Sequence, residues 1–300
     1  MTTLDAHQTR IQTAILDVLS FASAVTPPYP LTTTEIMHFL PISALQLPYE
    51  QALAHLVADK KVVRIGRFYG LPEIQYPNPH TTRLRQTKLQ IKAQRVSRGL
   101  GLIPFIRAIV LVGSGGLGNV DGDSNIDLLI VTKPHRMYVA KALAYYTLKL
   151  TGQKQSAAHR AGRVSISVFV TTNGINWQRE IMAQPEPQLA YWLLSARPLY
   201  GSQIWHGMLR QQSWLVERFP NWPWPKTSLK LPSVGWRALD TLDEFGFRYH
   251  LRHVAKQPAY RQTGARLRLR PDIINQNPHD RSAEIAAIYH EISSRQRLDS

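Results

Sequence analysis

Between Ile109 and Lys133 the chain reads IVLVGSGGLGNVDGDSNIDLLIVTK, an apolar run, a glycine-rich turn, four Asp/Asn residues and a second apolar run. Three chemistries use such residues. Gly113, Gly115 and Gly118 satisfy G-x-G-x-x-G after a strand, the pattern that lays a pyrophosphate on a helix N-terminus. That chemistry needs a helix at once, but Asn119-Val120-Asp121-Gly122-Asp123-Ser124 is turn composition and a strand follows. Asp121, Asp123 and Asn125 open like a calcium loop. The sixth position should be glycine and is Ile126; the twelfth should be glutamate and is Thr132. The third chemistry is a phosphate-holding Gly-Ser turn facing acidic residues on a strand. Residues 125 and 127 are two apart on a strand, so their side chains share one face and can share a cation.

The third pattern resembles the polymerase-β-like nucleotidyltransferase superfamily, whose signature is a Gly-Ser turn followed about ten residues later by Asp-x-Asp and an apolar strand. SNIDLLIVTK is similar to the family's SDIDLLIVTK. The wider layout resembles nucleotidyltransferase-domain proteins that carry an N-terminal winged-helix-like segment and a phrase like Pro198-Leu199-Tyr200-Gly201. The resemblance runs over residues 10–290. It implies that Gly113, Ser114 and Gly115 bind the phosphates of an NTP, ATP above all. It also implies that Asp127 and Asn125 are catalytic and hold Mg²⁺; Asp123, two residues before Asn125, keeps the same strand face if the strand begins early and is then a further metal ligand. The implied reaction is transfer of a nucleotidyl group to an acceptor, with the metal neutralising charge on the in-line phosphates. Two departures stand out. Asn125 occupies the place of the first carboxylate, and the strand RVSISVFV offers only Ser165 and Ser167 where a third carboxylate is common. Lys133 and Arg136, with His135, follow the Asp127 strand and are expected to neutralise the phosphates; Arg160 and Arg163 could join them.

The elements that must position these residues are legible from periodicity. Ile11, Ile15, Leu16, Leu19 and Ala22 fall at helical spacing. Thr32 and Glu35 form a capping box before a second helix, PYEQALAHLVADK is a third, and KVVRIGRFYGLP reads as two short strands around Gly66. This order is that of a winged helix. Residues 80–100 form a basic helix with Lys88, Lys92 and Arg95 on one face. KPHRMYVAKALAYYTLKLTG is a helix with Val139, Leu143, Tyr146 and Leu150 along one side, stopping at Gly152. From Ile175 the chain reads mostly helical, broken by the surface crossing FPNWPWPKTSLKLP at 219–232. Trp205, Trp214, Trp222, Trp224 and Trp236 are expected to anchor core or loops, with base stacking as the alternative. The expected fold is α+β: a winged-helix-like domain (1–78), a nucleotidyltransferase-like core with a small mixed sheet and flanking helices (79–175), and a helical C-terminal region (176–300).

Composition bounds the partners. The chain has 300 residues and a formal net charge of +16, with no cysteine. Disulfides and thiolate metal sites are excluded, no signal peptide or ~20-residue apolar span appears, and a cytoplasmic location is expected. Scattered histidines lack zinc-ligand spacing and no G-x-S-x-G elbow occurs. No acid lies between Glu73 and Asp121, and none in the run 248–270 that holds Arg248, Arg252, Lys256, Arg261, Arg266, Arg268 and Arg270. Such runs attract polyanions, so nucleic acid is a second expected partner, through helix 83–98 and run 248–270. Two alternatives to transfer stay open: a catalytically degenerate member that binds a nucleotide or a protein, and a nucleic-acid-binding regulator.

Overall fold

A computed structural model describes residues 3–156, 158–173, 177–182, 186–225, 240–254, 256–261 and 265–298. In chain order the elements are α1 (Thr3–Ala24), β1 (Leu31–Thr32), α2 (Thr33–His38), α3 (Gln46–Ala58), β2 (Val63–Ile65), β3 (Phe68–Gly70) and α4 (Pro79–Leu100). Then come β4 (Ile106–Val112), α5 (Ser114–Leu117), β5 (Ile126–Thr132), α6 (Met137–Leu150), β6 (Val164–Thr171), α7 (Trp177–Glu180), α8 (Gln188–Ser195) and β7 (Arg197–Tyr200). The chain ends with α9 (Ser202–Arg210), α10 (Ser213–Arg218), α11 (Asp240–His253), β8 (Arg266–Leu269), β9 (Ile273–Asn277) and α12 (Ser282–Leu298). The architecture is mixed α and β. No described helix is long and apolar enough to cross a membrane.

The chain forms two compact units, and neither is continuous in sequence. The first comprises residues 1–83, 210–225 and 283–300. Ile11, Ile15, Leu19 and Ala22 of α1 are buried, as the helical spacing predicts, along with Tyr49, Ala52, Leu53 and Leu56 of α3. Thr32 caps α2 as expected: its Oγ1 accepts from Glu35 N at 3.3 Å, while its own N–H donates to Glu35 Oε2 at 2.9 Å. Arg83 then donates to both Glu35 oxygens, at 2.7 and 2.8 Å. β2 and β3 pair antiparallel around Gly66, whose φ of +64° suits the turn, and β1 adds on the far side, giving the order β1-β3-β2. Trp222 packs edge-on to His38, with ring centroids 5.7 Å apart, and also against Phe39.

The second unit, residues 84–209 and 226–282, is built on a six-stranded sheet of order β7-β4-β5-β6-β9-β8. β4 and β5 are interior strands, between β7 and β6, and all but one residue of each is buried. Burial on both faces explains why they read as unbroken apolar runs rather than alternating ones. They pair antiparallel, which sets Val112 opposite Asp127; β5 and β6 pair parallel, which sets Asp127 opposite Ser165. Parallel neighbours need a crossover, and α6 supplies it. The expectation for α6 is corrected here. Its buried face is Met137, Tyr138, Ala140, Ala144 and Leu148, whereas Leu143, Tyr146 and Leu150 point outward. Ala140 and Ala144 leave room for the middle of the helix to sit close to the sheet, while Met137, Tyr138 and Leu148 fill the space at its two ends.

The expectation of a helical C-terminal region also needs correction. Residues 197–200, 266–269 and 273–277 are strands, and all three join the same sheet. The described residues between 240 and 282 therefore belong to the core unit, while 283–298 pack with the N-terminal unit. Short strands at the sheet's edges, rich in arginine or containing proline, carry too little apolar alternation to be read locally. Pro198-Leu199-Tyr200-Gly201 is the β7 edge strand and its turn. A Cβ at Gly201 would fall 2.0 Å from the Arg107 carbonyl, and its φ is +64°. Only glycine lets the chain turn this close to β4. Trp205 is fully buried and stacks edge-on with Trp177 at 5.8 Å, an anchoring role rather than a base-stacking one. Trp236 and the crossing beyond Pro225 lie outside the described residues.

Candidate functional site

The sheet brings one corner of the chemistry-bearing stretch together. β4 ends at Val112, and Gly113 turns the chain with φ +64° and ψ −146°, a region glycine alone enters freely. A Cβ on Gly113 would lie 3.0 Å from Asp127 Oδ2, so this glycine also makes room for the carboxylate. One short helical turn follows, closed by Gly116 N and Leu117 N donating to Gly113 O at 3.0 and 2.9 Å. The N–H groups of Ser114 and Gly115 stand at its open end. Gly115 and Gly116 are buried. A Cβ on Gly115 would meet Leu111 and Leu89 at 3.0 Å, and Gln86 donates to its carbonyl at 3.4 Å. Gly115 thus serves packing as much as any ligand.

Asn125 and Asp127 are neighbours in space as predicted, but not as two ligands. The Asn125 amide donates to Asp127 Oδ1 at 2.7 Å and to Gln155 Oε1 at 2.9 Å. Its Nδ2 is committed to two acceptors. A shared cation would need Asn125 to present an oxygen toward Asp127's open lone pairs, and it presents hydrogens instead. Asp127 is half-buried. Burial pushes its carboxyl up to about 6, while the Asn125 amide, the Arg160 charge and the Ser165 hydroxyl pull it back down. Gly162, in the turn that carries Arg160, donates to Ser124 O at 2.9 Å, and Lys92 of α4 approaches that glycine: a Cβ there would be 3.6 Å from Lys92 Nζ.

Asp123, Lys133 and Arg136 stand outside the Asn125–Asp127 pair. Asp123 is exposed in a self-contained turn, where its N–H donates to Asp121 Oδ1 at 3.0 Å and Ser124 Oγ donates to the same oxygen at 2.7 Å. Among the described residues no group of three or more His, Asp or Glu could hold a metal ion. Lys133 and Arg136 follow the far end of β5; with seven strand residues between the ends, Lys133 lies roughly 20 Å from Asp127 at ~3.3 Å per residue. Lys133 N donates to Phe105 O at 3.0 Å. Arg136 is 3% exposed and forms an ion pair with Asp240. The strand direction, invisible in a list of neighbours along the chain, separates these cations from the glycine turn. Arg163 is also engaged elsewhere, donating to the Gly152 carbonyl.

The corner therefore consists of Gly113, Ser114, Asn125, Asp127, Gln155, Arg160 and Ser165, with Lys92 beside it. Gln155 had no sequence signal; it arrives because Gln155 N donates to Val164 O at 2.9 Å, docking residues 153–155 on the start of β6. Mg²⁺ does not fit this corner. One carboxylate faces it, the second position is an amide donor, and β6 contributes hydroxyls. No protein-family model matches the chain, and no curated protein matches it.

Proposed function

We propose that this chain is a nucleotidyltransferase-like protein without metal-dependent transfer, and that its Gly113–Ser114 corner binds a phosphate group of a nucleotide. The observation that carries this reading is the Asn125 amide donating to Asp127 Oδ1. That hydrogen bond stands where a divalent cation would bridge the two carboxylates of a metal-dependent corner. The order and pairing of the strands around the glycine turn support the nucleotidyltransferase-type arrangement. Arg160 and Lys92 provide the positive charge that a phosphate requires, and the Ser114 hydroxyl and N–H provide donors.

The sign of one substitution separates this reading from Mg²⁺-dependent transfer. In a metal enzyme, Asp127→Asn weakens nucleotide binding because it removes a ligand. In a metal-free phosphate site, the same change removes a negative charge and tightens binding. Calorimetric titration of ATP into wild type and Asp127→Asn, with and without Mg²⁺, is the test. Binding that ignores Mg²⁺ and strengthens several-fold in the variant is expected, with no pyrophosphate release. Mg²⁺-dependent release of pyrophosphate by the wild type would overturn the proposal.

The nucleic-acid reading has a specific basis on α4. The order of helices and strands in the N-terminal unit and its β1-β3-β2 sheet support a winged-helix reading. Its α3, however, carries Glu50 and no lysine or arginine. A helix of that charge does not suit the groove-reading role. Arg85, Lys88, Arg95 and Arg98 of α4 are all exposed, and they are the better candidates for backbone phosphates.

A further inference from the structure

A second feature of the core unit is a cavity of about 590 Å³ bounded by α6, α11, the first half of β6 and the end of β9. Its volume is in the range of small-molecule sites. Lys141, Lys154 and His250 line it, and among the described residues no carboxylate does. Between these cations stand amides and hydroxyls, among them Gln155, Gln276 and Ser167, and the rings of Tyr145 and Tyr260.

Lys141 projects from α6 into this space and donates to Gln276 Oε1, a neutral acceptor. Burial pushes its ammonium down to about 7. His250 faces it from α11. The His250 Nδ1 lies 2.9 Å from the Gly246 carbonyl, so Nδ1 carries the hydrogen and Nε2 is the nitrogen that titrates. Burial lowers this imidazole, and the charge of Lys141 lowers it further. Lys154 lies over the Tyr145 ring at 4.9 Å. Tyr145 and Tyr260 also line the cavity, and Tyr138 packs on His250 at 5.2 Å, with the Asp243, Asp272 and Glu244 carboxylates acting on its phenol. Asp243 lies beyond Tyr138 and accepts from the N–H groups of Tyr138 and Val139 at 2.8 and 3.0 Å. Lys141, its charge lowered by burial, and His250, lowered by burial and then by Lys141, face a cavity that no acid lines among the described residues, and an external anion completes such a site.

We infer that this cavity binds an organic phosphate monoester, with the phosphate between Lys141, His250 and Lys154 and the organic part against Tyr145, Gln276 and Ser167. The volume decides for an ester over a bare anion, because inorganic phosphate would leave most of the space unfilled. The amides and hydroxyls suit a polyol or sugar. This inference does not depend on phosphate binding at Gly113. The cavity borders that corner only through Gln155 and Ser165.

The probes are ribose 5-phosphate and inorganic phosphate, titrated calorimetrically at pH 7.0 in two buffers of different ionisation enthalpy. Ribose 5-phosphate is expected to bind with net proton uptake, as the anion restores charge to Lys141 and His250, and at least tenfold more tightly than inorganic phosphate. Lys141→Met and His250→Gln should each lose tenfold or more. Thermal unfolding verifies that each variant is folded. Equal affinity for both probes, binding without proton uptake, or binding indifferent to Lys141→Met would overturn the inference, as would no binding of ribose 5-phosphate at millimolar concentration.

Discussion

Asp127 stores an electrostatic cost that a pH series can read. Its folded carboxyl keeps a proton to about pH 6, against an ordinary value of 3.8. Between those values the folded state binds more protons than the unfolded one, so this group's contribution to stability falls as pH rises through that window. Asp127→Asn removes the cost and can still accept from Asn125. The variant should be more stable than wild type at pH 7.5 by about 1–3 kcal/mol, and the gain should vanish below about pH 4. Urea denaturation across pH decides it, and a variant less stable at pH 7.5 would contradict it. The reverse experiment is Asn125→Asp. Two facing carboxylates repel, so this variant should lose stability without divalent cations and recover part of it in millimolar Mg²⁺. Recovery of the same size in the wild type would show that the native corner already takes the metal.

At the level of elements, tight backbone approaches and caps set the largest local effects. Gly201→Ala forces a methyl onto the Arg107 carbonyl at a positive φ, and should cost on the order of 3 kcal/mol, seen as a lower urea midpoint. Because Gly201 ends β7, the same variant should expose β4 amides such as Ile109 to faster hydrogen exchange. Thr32→Ala removes the α2 cap and should cost about 1 kcal/mol, with Glu35 still held by Arg83. Elements also differ in how well their own sequences describe them. β4 and β5 are fully legible because burial on both faces leaves an unbroken apolar signature. α6 was legible as a helix but not as an oriented one: both candidate faces are apolar, and only contact with the sheet selects the alanine side.

Across the whole molecule, the net charge of +16 is a statement about partners. If nucleic acid binds along α4, replacing Lys88, Lys92 and Arg95 with glutamine should weaken an oligonucleotide uniformly across sequences. The slope of log affinity against log salt should flatten by roughly 2–3, about 0.9 per phosphate contact for a duplex. An unchanged slope would remove α4 from the interface. The run 248–270 is a weaker second footprint, since Arg248 pairs with Glu244 and Arg270 with Asp272.

The sequence by itself determined what acts over a few residues. The capping box at Thr32, the hairpin around Gly66, the glycine turn at Gly113 and the adjacency of Asn125 and Asp127 all follow from contacts within one turn or one strand. It also put a neutral amide where a second carboxylate was expected. Only the tertiary structure decided what that amide does, because its other acceptor, Gln155, is 30 residues away in sequence. Strand direction took Lys133 and Arg136 away from the corner, and pairing at the sheet's edges drew residues 197–200 and 266–277 into a core they do not announce. Side chains far apart in sequence meet only when the sheet closes, and that closure is set by the burial of the whole apolar surface rather than by any one segment.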